Sequence, residues 1–127
     1  MKSLIIGSDS TVETKAYNSI YLVQAALFYY AFAQLGFLFA YPGTNIAFLW
    51  LPAGGAMAAI VFYGPKAAIG IFTGALLANY FALQPDPAEL QLSFAILTAA
   101  GNTFSGLIAG LAYLRYISAT KNSIQFA

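Results

Sequence analysis

The side chains able to carry chemistry in these 127 residues are few. There is no His and no Cys, so the usual zinc, copper and haem ligands are missing, along with thiol nucleophiles and disulfides. No metal or other cofactor is implied, and no set of side chains stands out as catalytic. The sequence holds neither a Gly-rich phosphate loop nor a serine turn of the G-x-S-x-G kind. A net charge of +1 without a basic cluster gives no footprint for nucleic acid. What remains is the tract Trp50-Leu51-Pro52-Ala53-Gly54-Gly55 and the amides Asn79 and Asn102, with Gln34, Thr73 and Thr103 beside them. Groups of this kind recognise a ligand by shape and hydrogen bonding; they do not transform it.

The elements that must hold these residues follow from where charge is missing. The chain is 61% hydrophobic, 17% aromatic and only 7% charged, against about 25% charged residues in an ordinary soluble domain. Lys15 to Lys66 encloses 50 residues without formal charge, Lys66 to Asp86 encloses 19, and Glu89 to Arg115 encloses 25. Runs of ~18 or more such residues are long enough to cross a bilayer core as helix. The expected fold is therefore all-α, an integral membrane bundle of four transmembrane helices near residues 20–41, 46–63, 67–83 and 90–114. Pro42-Gly43-Thr44-Asn45, Gly64-Pro65-Lys66 and the stretch from Gln84 to Glu89, with two prolines and two acids, punctuate the runs. A polar leader over residues 1–17 precedes the membrane domain of residues 18–115, and Ser10 with Glu13 has the spacing of a capping box at a helix start. A polar tail over 116–127 follows. A cleavable signal ending at Ala31-Phe32-Ala33 is the weaker reading, because the apolar run continues for eight residues beyond it.

Cytoplasmic loops are enriched in Lys and Arg. With four spans and the amino terminus inside, Lys2, Lys15, Lys66, Arg115 and Lys121 all fall on the cytoplasmic side, and Asp86 and Glu89 fall outside. Both termini are then cytoplasmic. Tyr17, Tyr21, Tyr41, Tyr63, Tyr80, Tyr113 and Tyr116 lie near span ends, as amphipathic rings prefer; Tyr29 and Tyr30 are mid-span exceptions.

Pro52 offers no N–H to the carbonyl of Phe48, so the second helix must kink or begin there. Irregular backbone at membrane depth is tolerated only where protein or a water-filled cavity surrounds it. The tract therefore reads either as a broken helix lining a ligand pocket near Trp50, Pro52 and Gly54, or as a packing kink with Trp50 as an interface anchor. Small residues recur four apart, at Gly54 and Ala58, Gly55 and Ala59, Gly70, Gly74 and Ala78, and after Asn102 at Gly106 and Gly110. Such faces let helix backbones approach closely, within one chain first and in a homodimer as the alternative. Asn79 and Asn102 are expected to pair with other helices or with backbone, or to line a pocket.

At these residues the sequence resembles a bacterial family, the membrane-associated sensor domain of the first type (MASE type 1). The resemblance rests on Trp50-Leu51-Pro52-Ala53-Gly54 followed by Ala58, on Gly64, on the run from Gly70 through Gly74 to Asn79, and on Gly101-Asn102-Thr103. It covers roughly residues 35–115, the amino-terminal half of that module, and departs from it at Leu51, where a second proline is usual, and at Ser105, where an acid is usual. It implies a non-enzymatic input module in a bacterial inner membrane that perceives a small ligand or partner and signals to a cytoplasmic output domain such as a histidine kinase or diguanylate cyclase. The alternative reading is a small oligomeric transporter or channel subunit, and a third is an assembly subunit without a ligand.

Overall fold

The computed structural model describes residues 6–42, 47, 49–82 and 88–125, with side chains over 19–42, 47, 49–82 and 88–121. Four α-helices follow in order: α1 (Ile6–Leu38), α2 (Leu51–Tyr63), α3 (Ala67–Ala82) and α4 (Gln91–Gln125), the last entered through a 3₁₀ turn at Ala88–Leu90. No strand occurs among the described residues; a single antiparallel bridge, Ala40 with Ala47, closes the connection between α1 and α2. The all-helical expectation holds. Two segments, Ser19–Leu38 and Ala88–Lys121, are long and apolar enough to cross a membrane, whereas α2 and α3 have 13 and 16 residues. At 1.5 Å per residue these two helices measure about 20 and 24 Å, short of a ~30 Å hydrocarbon core.

Local chemistry sets the helix ends. Proline needs no hydrogen-bond partner for its nitrogen in a first turn, and α2 accordingly begins at Leu51 with Trp50 as its N-cap and Pro52 in the opening turn. Of the two options the sequence leaves at Pro52, a kink or a start, the fold takes the start. The expected second span over 46–63 is thus helical only from Leu51. At the other end, Gly64 adopts φ +79°, a conformation strained for any L side chain, and its N–H closes the last turn on the Ile60 carbonyl at 2.9 Å. Pro65 then bars continuation, and α3 opens with Ala67 and Ala68 donating to the carbonyls of Gly64 and Pro65, both at 3.1 Å.

Both long helices overrun their apolar segments. α1 is already helical at Ile6, ahead of the expected start near Ser10, so the Ser10–Glu13 pair lies inside the helix. α4 passes Arg115 and carries the expected polar tail as helix to Gln125. Polarity ends a hydrophobic run, but it does not end a helix unless a breaker accompanies it. Asp86 and most of the proline-rich break lie outside the described residues.

The helices surround a core of small side chains. α3 packs along α1 and α4, α2 packs along α4 and α1, α2 and α3 touch least, and α1 and α4 share no contact among the described residues. Nine of the twelve buried hydrophobic residues are alanines, joined by Tyr29, Ile60 and Ile71. Glycines bring the backbones together as the spacing of small residues implies. A Cβ on Gly70 would run into the Leu22 carbonyl oxygen and approach the Ala25 methyl at 2.9 Å, and one on Gly74 would meet the Ala26 carbonyl oxygen. On the other side of the bundle Gly106 faces Ala56 and Gly110 faces Ile60. Large apolar side chains point the opposite way: Phe62 is 80% exposed and Phe104 66%, with Leu27, Leu38, Ile69, Phe81 and Leu97 similarly bare.

Candidate functional site

Where α1 ends and α2 begins, the tract singled out in the sequence meets the last turn of α1. Pro52 and Trp50 close over Gly36, whose position would bring a Cβ within 3.2 Å of Pro52 Cδ and 3.4 Å of the Trp50 ring. The indole packs edge-on against Phe37, with ring centroids 5.3 Å apart and planes at 62°. Glycine at position 36 is what allows the N-terminus of α2 to seat against α1. One turn into α2, Gly55 faces Phe28 and Phe32, and a Cβ there would lie 3.5 Å from each ring. Gly54 has no atom within 4 Å of a built Cβ and is exposed, so of the two adjacent glycines it is Gly55 that packs and Gly54 that faces outward.

Tyr29 is the residue that reasoning from motifs passed over. It is 1% exposed, its hydroxyl makes no hydrogen bond among the described residues, and the Trp50 side chain lies beside it. The signal was present in the sequence as a tyrosine displaced from the interfacial positions. An amphipathic ring placed mid-helix must either find a partner for its hydroxyl or leave it unpaired at a cost.

The two asparagines separate. Asn79 is 3% exposed and donates from Nδ2 to the Ala75 carbonyl at 2.8 Å, a bond within its own helix. It lies on α3, the helix that touches α2 least. Asn102 behaves differently: its Nδ2 is buried with no partner among the described residues. The pairs Gly106 with Ala56 and Gly110 with Ile60 show α2 and α4 running parallel in one register, which puts Asn102 level with Pro52 on the adjacent helix. The polar hydroxyls follow the intrahelical habit of Asn79. Thr73 donates to Ile69, Thr103 to Ala99, Ser118 to Leu114 and Thr120 to Tyr116, each four residues back. Gln34 is exposed. Across helices, Gln91 Nε2 donates to the Tyr80 carbonyl at 2.6 Å and ties the start of α4 to the end of α3.

Trp50 and Pro52 thus come together with Tyr29 at the junction of α1 and α2, Asn102 shares the level of Pro52, and Asn79 and Gly54 stand apart. Chemically the junction offers an O–H, an N–H pair and aromatic walls, groups that can donate hydrogen bonds and pack against apolar surface. An unpaired buried hydroxyl costs ~1–3 kcal/mol. Tyr29→Phe is accordingly expected to raise the stability of the ligand-free protein in detergent by about 1 kcal/mol, read from its unfolding midpoint. A loss of stability instead would mean that the hydroxyl is satisfied.

No family model, no curated protein and no solved structure matches the chain.

Proposed function

We propose that this chain is the membrane-embedded input domain of a bacterial signalling protein, with four helices crossing the inner membrane and both termini in the cytoplasm. The observation that carries the membrane part of this reading is the inverted distribution of side-chain size, alanine and glycine inside and phenylalanine and leucine outside. Water penalises an exposed apolar surface of that extent. Lipid does not, and association within lipid is driven by close packing of small faces. Only 22% of the residues in each long apolar window are buried, unlike the core helix of a soluble protein. On this reading the chain before α2 completes the second crossing, and Gly36 and Phe37 of α1 pack against Trp50 and Pro52 where α2 begins.

Sensing is assigned to the junction because its unpaired donors give a ligand something to gain. A ligand shifts a conformational equilibrium only by its difference in affinity for the two states. A molecule that satisfies Tyr29 and Asn102 in one seating of α2 against α1 and α4 has such a difference, and the helical extension of α4 beyond Arg115 provides a rigid path to an output domain. The transporter or channel reading would place its conduit between copies of the chain, since the described helices of one copy pack on alanine and glycine.

Topology is the direct test. Reporter fusions after Lys66 and after Lys121 are expected to report cytoplasm, and a fusion at Asp86 the outside; an outside signal at Lys66 overturns the four-span arrangement. For sensing, a chimera carrying a diguanylate cyclase should lose its response with Tyr29→Phe and keep it with Thr73→Ala. Equal responses in the two variants would remove the junction as the ligand site.

A further inference from the structure

A groove lies between α1 and α2, away from the junction. It has a volume of about 600 Å³ and is walled by Leu27 and Phe28 on α1 and by Ala58 and Phe62 on α2, with Gln24 and Tyr63 toward one end. At that end a second cavity of about 500 Å³ begins. It shares Phe62 and Tyr63 with the first and adds Tyr21, Pro65 and Lys66. The Tyr21 and Tyr63 rings pack together there, with centroids 5.1 Å apart. Gly64, through its positive φ, turns the chain so that Lys66 stands at the mouth, exposed and without an ion pair among the described residues.

From this pairing of an apolar trough and a cation at its end we propose that the α1/α2 groove binds an anionic phospholipid, one acyl chain along Leu27, Phe28 and Ala58 and the phosphate on Lys66. The site rests on the membrane reading above, with Lys66 in the cytoplasmic headgroup layer. The trough lies lengthwise between two helices, as an acyl chain does, and ends in aromatic rings and a cation at the level where a glycerol phosphate sits. A zwitterionic lipid fits the trough equally but carries an ammonium that offsets the attraction to Lys66, so charge selects the occupant. Bound in this way the lipid would wedge α1 and α2 at the end opposite Trp50 and Pro52, and its presence would bear on how α2 seats.

The full chain, extracted from membranes in mild detergent, is to be compared by native mass spectrometry with phosphatidylglycerol and phosphatidylcholine of identical acyl chains. Retention of phosphatidylglycerol is expected to be about fivefold stronger, the equivalent of the ~1 kcal/mol that one basic residue contributes near a bilayer surface. Lys66→Gln should bring it down to the phosphatidylcholine level and Lys66→Arg should keep it. Ala58→Phe, which fills the trough, should lower retention of both lipids; Leu27→Trp on the opposite wall serves the same purpose should Ala58→Phe not fold. Glycerol phosphate without acyl chains should not compete. Equal retention of the two lipids, an unchanged preference in Lys66→Gln, or displacement by glycerol phosphate each overturns the site. Carbonate-washed membranes from the same cells keep the two claims apart. Recovery of the chain in the supernatant refutes the membrane reading itself, and a pelleted chain with no lipid preference refutes only the groove.

Discussion

Phe104→Asp is expected to reverse the side on which the chain ends. Phe104 sits at the middle of the apolar stretch Ala88–Lys121 and is 66% exposed. On a soluble protein a substitution at such a position changes stability by no more than about 0.5 kcal/mol. At the centre of a bilayer an aspartate costs ~2.5–3.5 kcal/mol of insertion free energy. At ~3 kcal/mol the inserted population of that span falls by about two orders of magnitude. A reporter after Lys121 should then move from the cytoplasmic to the outer side, because α4 no longer crosses. Thr120→Asp, also exposed but at the far end of the same stretch, should leave the reporter where it was. If Phe104→Asp is as silent as Thr120→Asp, lipid does not surround α4. Of all the substitutions considered, this one separates water from lipid most sharply, since the same exposed position is permissive in one solvent and forbidding in the other.

Gly74→Ala and Gly70→Ala should destabilise the protein, against the ordinary trend for glycine in a helix. Alanine is the better helix former by ~1 kcal/mol, and at Gly101, where nothing lies within 4 Å, Gly101→Ala should realise that gain. At Gly70 and Gly74 the new methyl would fall on the carbonyl oxygens of Leu22 and Ala26, which are backbone atoms and cannot swing aside. Separating α1 from α3 is the only relief, at an overpacking cost of ~1–3 kcal/mol. At Gly106 the new methyl would meet the Ala56 methyl at 2.7 Å, and at Gly110 the Ile60 Cγ2 and Cβ at 2.5 and 2.6 Å; a Cβ moves only with its backbone, so these sites also resist, but the approaches are longer than those onto the two carbonyl oxygens. The order of loss expected is thus Gly74 and Gly70 first, then Gly106 and Gly110, with Gly101 of opposite sign. Unfolding in mixed detergent micelles measures it. Stabilisation by Gly74→Ala would place α1 and α3 further apart than described here.

The helical class, the breaks at Pro52 and at Gly64-Pro65, and the close-packing faces through Gly70, Gly74, Gly106 and Gly110 were legible in the residues alone. They depend on local covalent facts: a proline nitrogen without hydrogen, a glycine without Cβ, a run of residues without charge. Helix length was read less well, because α1 and α4 extend through polar residues that lack a breaker, and α2 starts five residues inside its apolar run. Partnership required the tertiary structure. Trp50 meeting Phe37, Gly36 making room for Pro52 and Asn102 level with Pro52 are relations between residues 13 to 50 positions apart, and like the unpaired hydroxyl of Tyr29 they are set by how the helices pack. The same holds for Asn79, which satisfies its amide on its own helix, and for Gly54, which faces outward although its neighbour Gly55 is buried. Composition and periodicity say what a residue can do. Which neighbours it does it with depends on register and rotation between helices, and those quantities do not exist until the bundle forms.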